Sequence, residues 1–239
     1  MRAAEWGPAW VLGTMAMLAG GLALLTFGRD GAVQGLRRPV DRKSRSLGMV
    51  PVIGGAVVLI AFLTENAAES WSALHIEQTL GGSPAEGAMG PAVLALTMGI
   101  SRLVGQGIVS RIDATRLLIG GAIIAAFGAL TAATAISPAM AYAGFIVMGV
   151  GGSVLAPTAF SLTGRLAAPQ ARARAVARAT LLGYFGYFIG PPGVGFIAGV
   201  FGLRAAFVFA AIMLMSVLIL APIMARVAAR HSGLIRDNG

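Results

Sequence analysis

The chain has 239 residues, of which 57% are apolar and 11% charged, with a net charge of +9 and no cysteine. Soluble domains carry about 25% charged residues, so this composition excludes a water-solvated core and points to lipid as the solvent. It also excludes a disulfide framework and any cysteine-held metal.

Seven apolar spans follow in chain order, and this sequence predicts an all-α polytopic bundle. The first is Ala9–Phe27. The second begins near Val50 and continues to about Leu80. The others are Ala88–Ile112, Leu117–Ile136, Ala139–Leu162, Ala175–Val200 and Ala205–Ala225. In lipid the backbone must bond within its own segment, so these spans are helices. The organisation read from them is a first helix over 1–27 and a basic loop over 28–48. A six-helix unit over 49–228 and a tail over 229–239 follow.

The cations are scattered through the connections and form no aromatic-rich basic face, so nucleic acid is excluded as a partner. Arg29, Arg37, Arg38, Arg42, Lys43 and Arg45 fall in Gly28–Gly48. Arg111 and Arg116 follow the third span. Arg165, Arg172, Arg174 and Arg178 follow the fifth, and Arg226, Arg230 and Arg236 end the chain. Of the 18 Lys and Arg, only Arg2, Arg102 and Arg204 lie elsewhere. Cytoplasmic loops are the positive ones, which predicts the N-terminus outside and the C-terminus inside an inner membrane.

The second span carries the chemistry. Its uncharged run, Val50–Thr64, makes ~22 Å of helix, short of the ~30 Å hydrocarbon core, so Glu65, Asn66, Glu69 and Ser70 are drawn into the crossing. Ionisable groups at such depth face a bundle interior or a wet cavity, and they are functional candidates by default. Glu65 and Glu69 are four apart and share a helix face, with Ser72 on the same stripe. Two carboxylates so close suit proton exchange or a cationic or polyol partner. The plainer alternative stays open: a buried, satisfied Glu65 and a Glu69 that reaches the headgroups. Trp71 is either a wall of a cavity mouth or an interfacial belt residue.

Counting inward from Ala88, Arg102 falls ~21 Å from the outer boundary, while counting from Val50 sets Glu65 ~8 Å from it. No direct ion pair between them is expected on that reckoning. The sixth span spaces Gly186 from Gly190 and Gly195 from Gly199 by four, which favours close helix contact, and Pro191 and Pro192 predict a kink. Gly149, Gly151, Gly152 and Ser153 suit close packing first and solute contact second. No nucleophile–base set, phosphate loop or metal cluster is legible, so neither catalytic residues nor cofactors are expected. The only lysine, Lys43, lies in a loop, which excludes a retinal Schiff base inside the bundle.

Three segments carry a resemblance. Gly99–Arg116 (GISRLVGQGIVSRIDATR) resembles the degenerate second copy of the cytoplasmic loop motif of the major facilitator superfamily, with Arg102, Gly105, Arg111, Asp113 and Arg116 on the pattern and Ser101 where a glycine is usual. Gly183–Gly199 resembles that family's Gly-Pro-rich eleventh helix. Glu65–Trp71 (ENAAESW) resembles the acidic entry on the seventh helix of a bacterial subgroup related to fucose permease, with Ser70 in place of the acid before the Trp. The resemblance implies the C-terminal half of a secondary transporter, preceded by one helix like the family's sixth. It implies alternating access for a small solute, with proton coupling as an option. Arg102 would serve as a cytoplasmic gate, and Pro191–Pro192 as a bend that rocks. It also implies two partners, the bilayer and an N-terminal six-helix half. A non-transporting membrane scaffold, or a degenerate remnant of a transporter, is the alternative.

Overall fold

A computed structural model describes residues 8–26, 48–109 and 111–236. The chain divides into two units, Met1–Lys43 and Ser44–Gly239. The described part of the first is one apolar helix, α1 (Pro8–Thr26). Apart from Gly48, the basic loop expected over 28–48 lies outside the described residues, as does Arg2.

The second unit holds α2 (Val50–Leu74), α3 (Pro84–Val109), α4 (Ala114–Ala133), α5 (Pro138–Gly152), α6 (Leu155–Leu166), α7 (Arg172–Phe201) and α8 (Leu203–Arg236). The described residues form no strand. A π-helical turn, His75–Thr79, extends α2, so the span runs Val50–Thr79. With α5 and α6 taken as one crossing, six spans are long and apolar enough to traverse a membrane. The helix of α8 continues through 229–236, most of the stretch read as a tail.

Local chemistry sets the ends. Gly81 takes φ +70, a left-handed value that glycine adopts freely, and Gly82 N–H then closes back on Ile76 O at 2.9 Å. Ser83 and Glu86 form a reciprocal cap on α3. The Glu86 carboxylate accepts from Ser83 N–H (2.8 Å) and Oγ (2.9 Å), and Glu86 N–H donates to Ser83 Oγ (3.4 Å). With Pro84 at the first helical position, α3 starts four residues before the expected Ala88. Asp113 caps α4, accepting from the backbone N–H of Thr115 (3.0 Å) and Arg116 (3.1 Å).

The fifth span is two helices, not one. Turn residues Ser153 and Val154 separate α5 from α6. Pro157 explains the break: it has no N–H to offer Ser153 O, and its ring crowds that carbonyl.

Helix contact here is made by small residues, as expected where lipid removes the hydrophobic drive between helices. The face of α7 buried in the bundle is Ala175, Ala179, Gly183, Gly186, Gly190 and Val194. It lies on α2 so closely that a methyl at Gly186 would strike Leu59 O, and one at Gly190 would sit 2.9 Å from Leu63 O. Gly121 and Gly128 of α4 meet Gly144 and Gly151 of α5 in the same way. The α7 helix runs unbroken through Pro191 and Pro192.

Short turns make successive spans antiparallel. Arg111, Arg116, Arg165, Arg172, Arg174, Arg178 and Arg226, all exposed, therefore gather at the end of the bundle where α2 begins. Glu77, Glu86 and Arg204 lie towards the other end.

Candidate functional site

The α2 span is the most buried of the six. Along its middle, the positions left partly open are Leu59, Phe62, Glu65 and Glu69, which recur every three or four residues as one stripe. The acidic pair thus occupies the part of α2 that its own neighbours leave uncovered.

Arg102 of α3 meets Glu65 across this stripe, with Nη2 at 3.3 Å from Oε1. The expectation that the two would not pair was wrong, and its error was register. Glu65 stands at the middle of a 30-residue span rather than near its end. Starting α3 at Pro84 moves Arg102 inward as well, but by less than Glu65 moves. Counted outward from the α2–α3 turn, Glu65 lies about 14 residues back from Thr79 and Arg102 about 18 on from Pro84, an offset of only ~6 Å along the axis. An extended arginine side chain covers that offset.

Arg102 also directs Nε at Ser153 O, at 3.5 Å. This is the carbonyl that Pro157 deprives of its helical donor, so a broken helix and an intramembrane cation answer each other. Ser153 Oγ turns back to Val150 O at 2.7 Å. Glu69 follows one turn along the same face of α2. One guanidinium thus pairs with the first of two carboxylates on the stripe, the paired side chains being 21% (Glu65) and 44% (Arg102) exposed. The chemical result is an acidic site with one unit of negative charge in excess when both acids are ionised.

Phe62, one turn before Glu65, packs against Phe160 of α6 (6.3 Å between ring centroids) and against Tyr184 (5.6 Å) and Tyr187 (6.3 Å) of α7. Tyr184 and Tyr187 are exposed, and they give the stripe an aromatic flank with two hydroxyls. Behind Glu65 is a cavity of about 10 Å³, lined by Thr64, Leu94, Met98, Met148, Gly152 and Leu214 among others. That volume is about the least that admits one water.

The other candidates fall elsewhere. Asn66 is buried and accepts from Ser70 Oγ at 3.4 Å. Trp71 is half-buried against α7, where its indole N–H donates to Pro191 O at 3.1 Å and a methyl on Gly195 would lie 2.5 Å from its ring. It rivets α2 to α7. Ser72 is fully buried beside Gly90 of α3. Of the loop motif, Asp113 holds the start of α4, Arg111 and Arg116 are exposed beside it, and Gly105 lies within α3. Arg102 stands apart from these, about nine residues up the helix from Arg111. Gly186, Gly190 and Gly195 pack, whereas a side chain at Gly199 would meet open space. Two residues were missed. Ser153 is expected to serve close packing first and solute contact second, and its carbonyl, which Pro157 four positions on leaves free, is missed. His75, fully buried, bonds Ala132 O through Nε2 at 2.9 Å.

The sequence model of the Major Facilitator Superfamily matches residues 54–237. An uncharacterised MFS-type transporter of Yersinia pestis is 35% identical over 163 residues, which are 68% of this chain and 42% of that protein. Among solved structures, the peptide transporter POT in complex with sulfate superposes with TM-score 0.69 at 14% identity, over 75% of this chain and 38% of that one. A bacterial homologue of the human lysosomal transporter Spinster, inward-facing and occupied, gives TM-score 0.57 at 16% identity, over 91% and 57%. The chain therefore spans less than half the length of the Yersinia relative.

Proposed function

The chain belongs to the major facilitator superfamily, and on that premise we propose that it supplies the C-terminal half of a secondary transporter for a small polar solute. The halves of such transporters enclose the solute between them and rock about it. The Leu59–Phe62–Glu65–Glu69 stripe is the wall this half contributes, and a separate six-helix half is the facing wall. The observation that carries the reading is the Glu65–Arg102 pair on the open stripe of the most buried helix.

In this scheme Glu65 exchanges a proton. Protonation releases Arg102 from Glu65, leaving it to Glu69 and Ser153 O, and the tie between α2 and the α5–α6 break loosens. Arg102 is thus a latch among α2, α3 and that break. Pro191 and Pro192 serve as the bend in α7. The basic end of the bundle is cytoplasmic, with the N-terminus outside, in a plasma membrane. The proposal keeps kinship with the fucose-permease-related subgroup on the Glu65–Trp71 segment.

The test uses proteoliposomes of the assembled transporter and a pH-sensitive dye inside them. Solutes are screened for those that move protons. Glu65→Gln is expected to abolish solute-driven proton movement while retaining solute exchange at equal pH. Proton movement unchanged in Glu65→Gln removes Glu65 from the coupling.

A further inference from the structure

The end of α2 nearest the α2–α3 turn holds two buried polar atoms that find no partner among the described residues, Ser72 Oγ and His75 Nδ1. Both residues are fully buried. They are three apart on α2 and share a face. A carbonyl can only accept, so the 2.9 Å contact to Ala132 O assigns the ring proton to Nε2 and leaves Nδ1 as a lone-pair acceptor. Buried polar atoms are seldom left unpaired. The hydroxyl and the ring nitrogen together ask for a molecule that donates to one and bonds the other. Gly90 lets α3 close over Ser72, since a methyl there would lie 3.1 Å from both its Cβ and Oγ. Phe207 of α8 closes the site over the imidazole, at 4.9 Å between centroids. Arg204 of α8 brings a positive charge to Ala133 O, one residue from the carbonyl that His75 bonds, which disfavours a cation here.

We propose that Ser72 and His75 bind one buried water, and that this node fastens α2 to the C-terminal end of α4. Arg204 completes the fastening. Its Nη1 donates to Ala133 O at 3.1 Å, so the last carbonyls of α4 are capped by donors from α2 and α8. The water satisfies Nδ1 in the tautomer that the Ala132 carbonyl sets. The node lies one turn beyond Glu69, and it stands whatever solute the chain carries.

The chain has two histidines, so His231→Gln leaves His75 as the only one. ¹⁵N-histidine solid-state NMR on proteoliposomes of that variant is expected to show a neutral ring protonated at Nε2, with water-edited transfer to the imidazole. Ser72→Ala should remove the transfer and lower the Tm. A ring protonated at Nδ1, or no transfer from water, overturns the proposal. So does a Tm that rises in Ser72→Ala, the result expected when a dry unpaired hydroxyl is deleted.

Discussion

Gly186→Val should unfold the α2–α7 interface, while Gly199→Val should leave the protein as stable as before. At Gly186 the first added carbon meets the Leu59 backbone carbonyl, which has no rotamer by which to yield. Either α7 moves away from α2 along its buried face or α2 bends. Overpacking of this kind costs about 1–3 kcal/mol, and more where the obstacle is backbone. Here the displaced contact is also the stripe of small residues that joins two spans, with no hydrophobic drive between helices in lipid to restore it. We expect ~3 kcal/mol or more, seen as loss of monodisperse protein or a large fall in Tm. Gly199 belongs to the same sequence motif but faces open space, and its change removes only a flexible residue from a helix. Equal behaviour of the two variants would show that α7 does not lie on α2 through this face.

Arg102→Leu should reduce coupled transport by roughly tenfold or more, equivalent to at least ~1.4 kcal/mol in the rate-limiting barrier. Its effect on stability should be much smaller. The guanidinium is substantially exposed, so the pair itself contributes only about 1 kcal/mol to the fold. Its larger role is positional. It holds Glu65, neighbours Glu69 and occupies the carbonyl freed at the α5–α6 break. Arg102→Lys keeps the charge but not the forked donors that serve two partners at once, so only partial rescue is expected. A double-mutant cycle with Glu65→Gln should show strong coupling between the two sites in transport. Additive losses would mean that they act separately.

The spans themselves were legible because lipid imposes long uninterrupted apolar runs, which composition alone exposes. The acids of α2 were legible for the same reason, as charges inside such a run. Their pairing was not. Depth counted from the edges of apolar segments misses it, because the register of α3 against α2 is set by the turn between them. Ser83, Pro84 and Glu86 mark that turn in the sequence, and counting back from it sets Glu65 about 14 residues deep, near the level of Arg102. Pro157 likewise announced the break between α5 and α6, unnoticed inside an apolar stretch. The glycine stripe of α7 could be read as a contact face, but neither its partner nor the idle position of Gly199 could. His75 could not be found from sequence at all. A lone histidine at the end of a span gains its meaning only from Ala132, 57 residues away, brought beside it by the fold.

The central claim is that the stripe of Glu65 and Glu69 faces a watery route, not acyl chains. The chain lacks cysteine, so single cysteines can be placed without background. Glu65→Cys and Glu69→Cys, together with Phe127→Cys on the exposed face of α4, should be treated in intact membranes with a charged, membrane-impermeant thiol reagent. Rapid labelling at 65 and 69 and none at 127 is expected. Labelling at 127 with none at 65 and 69 would contradict it.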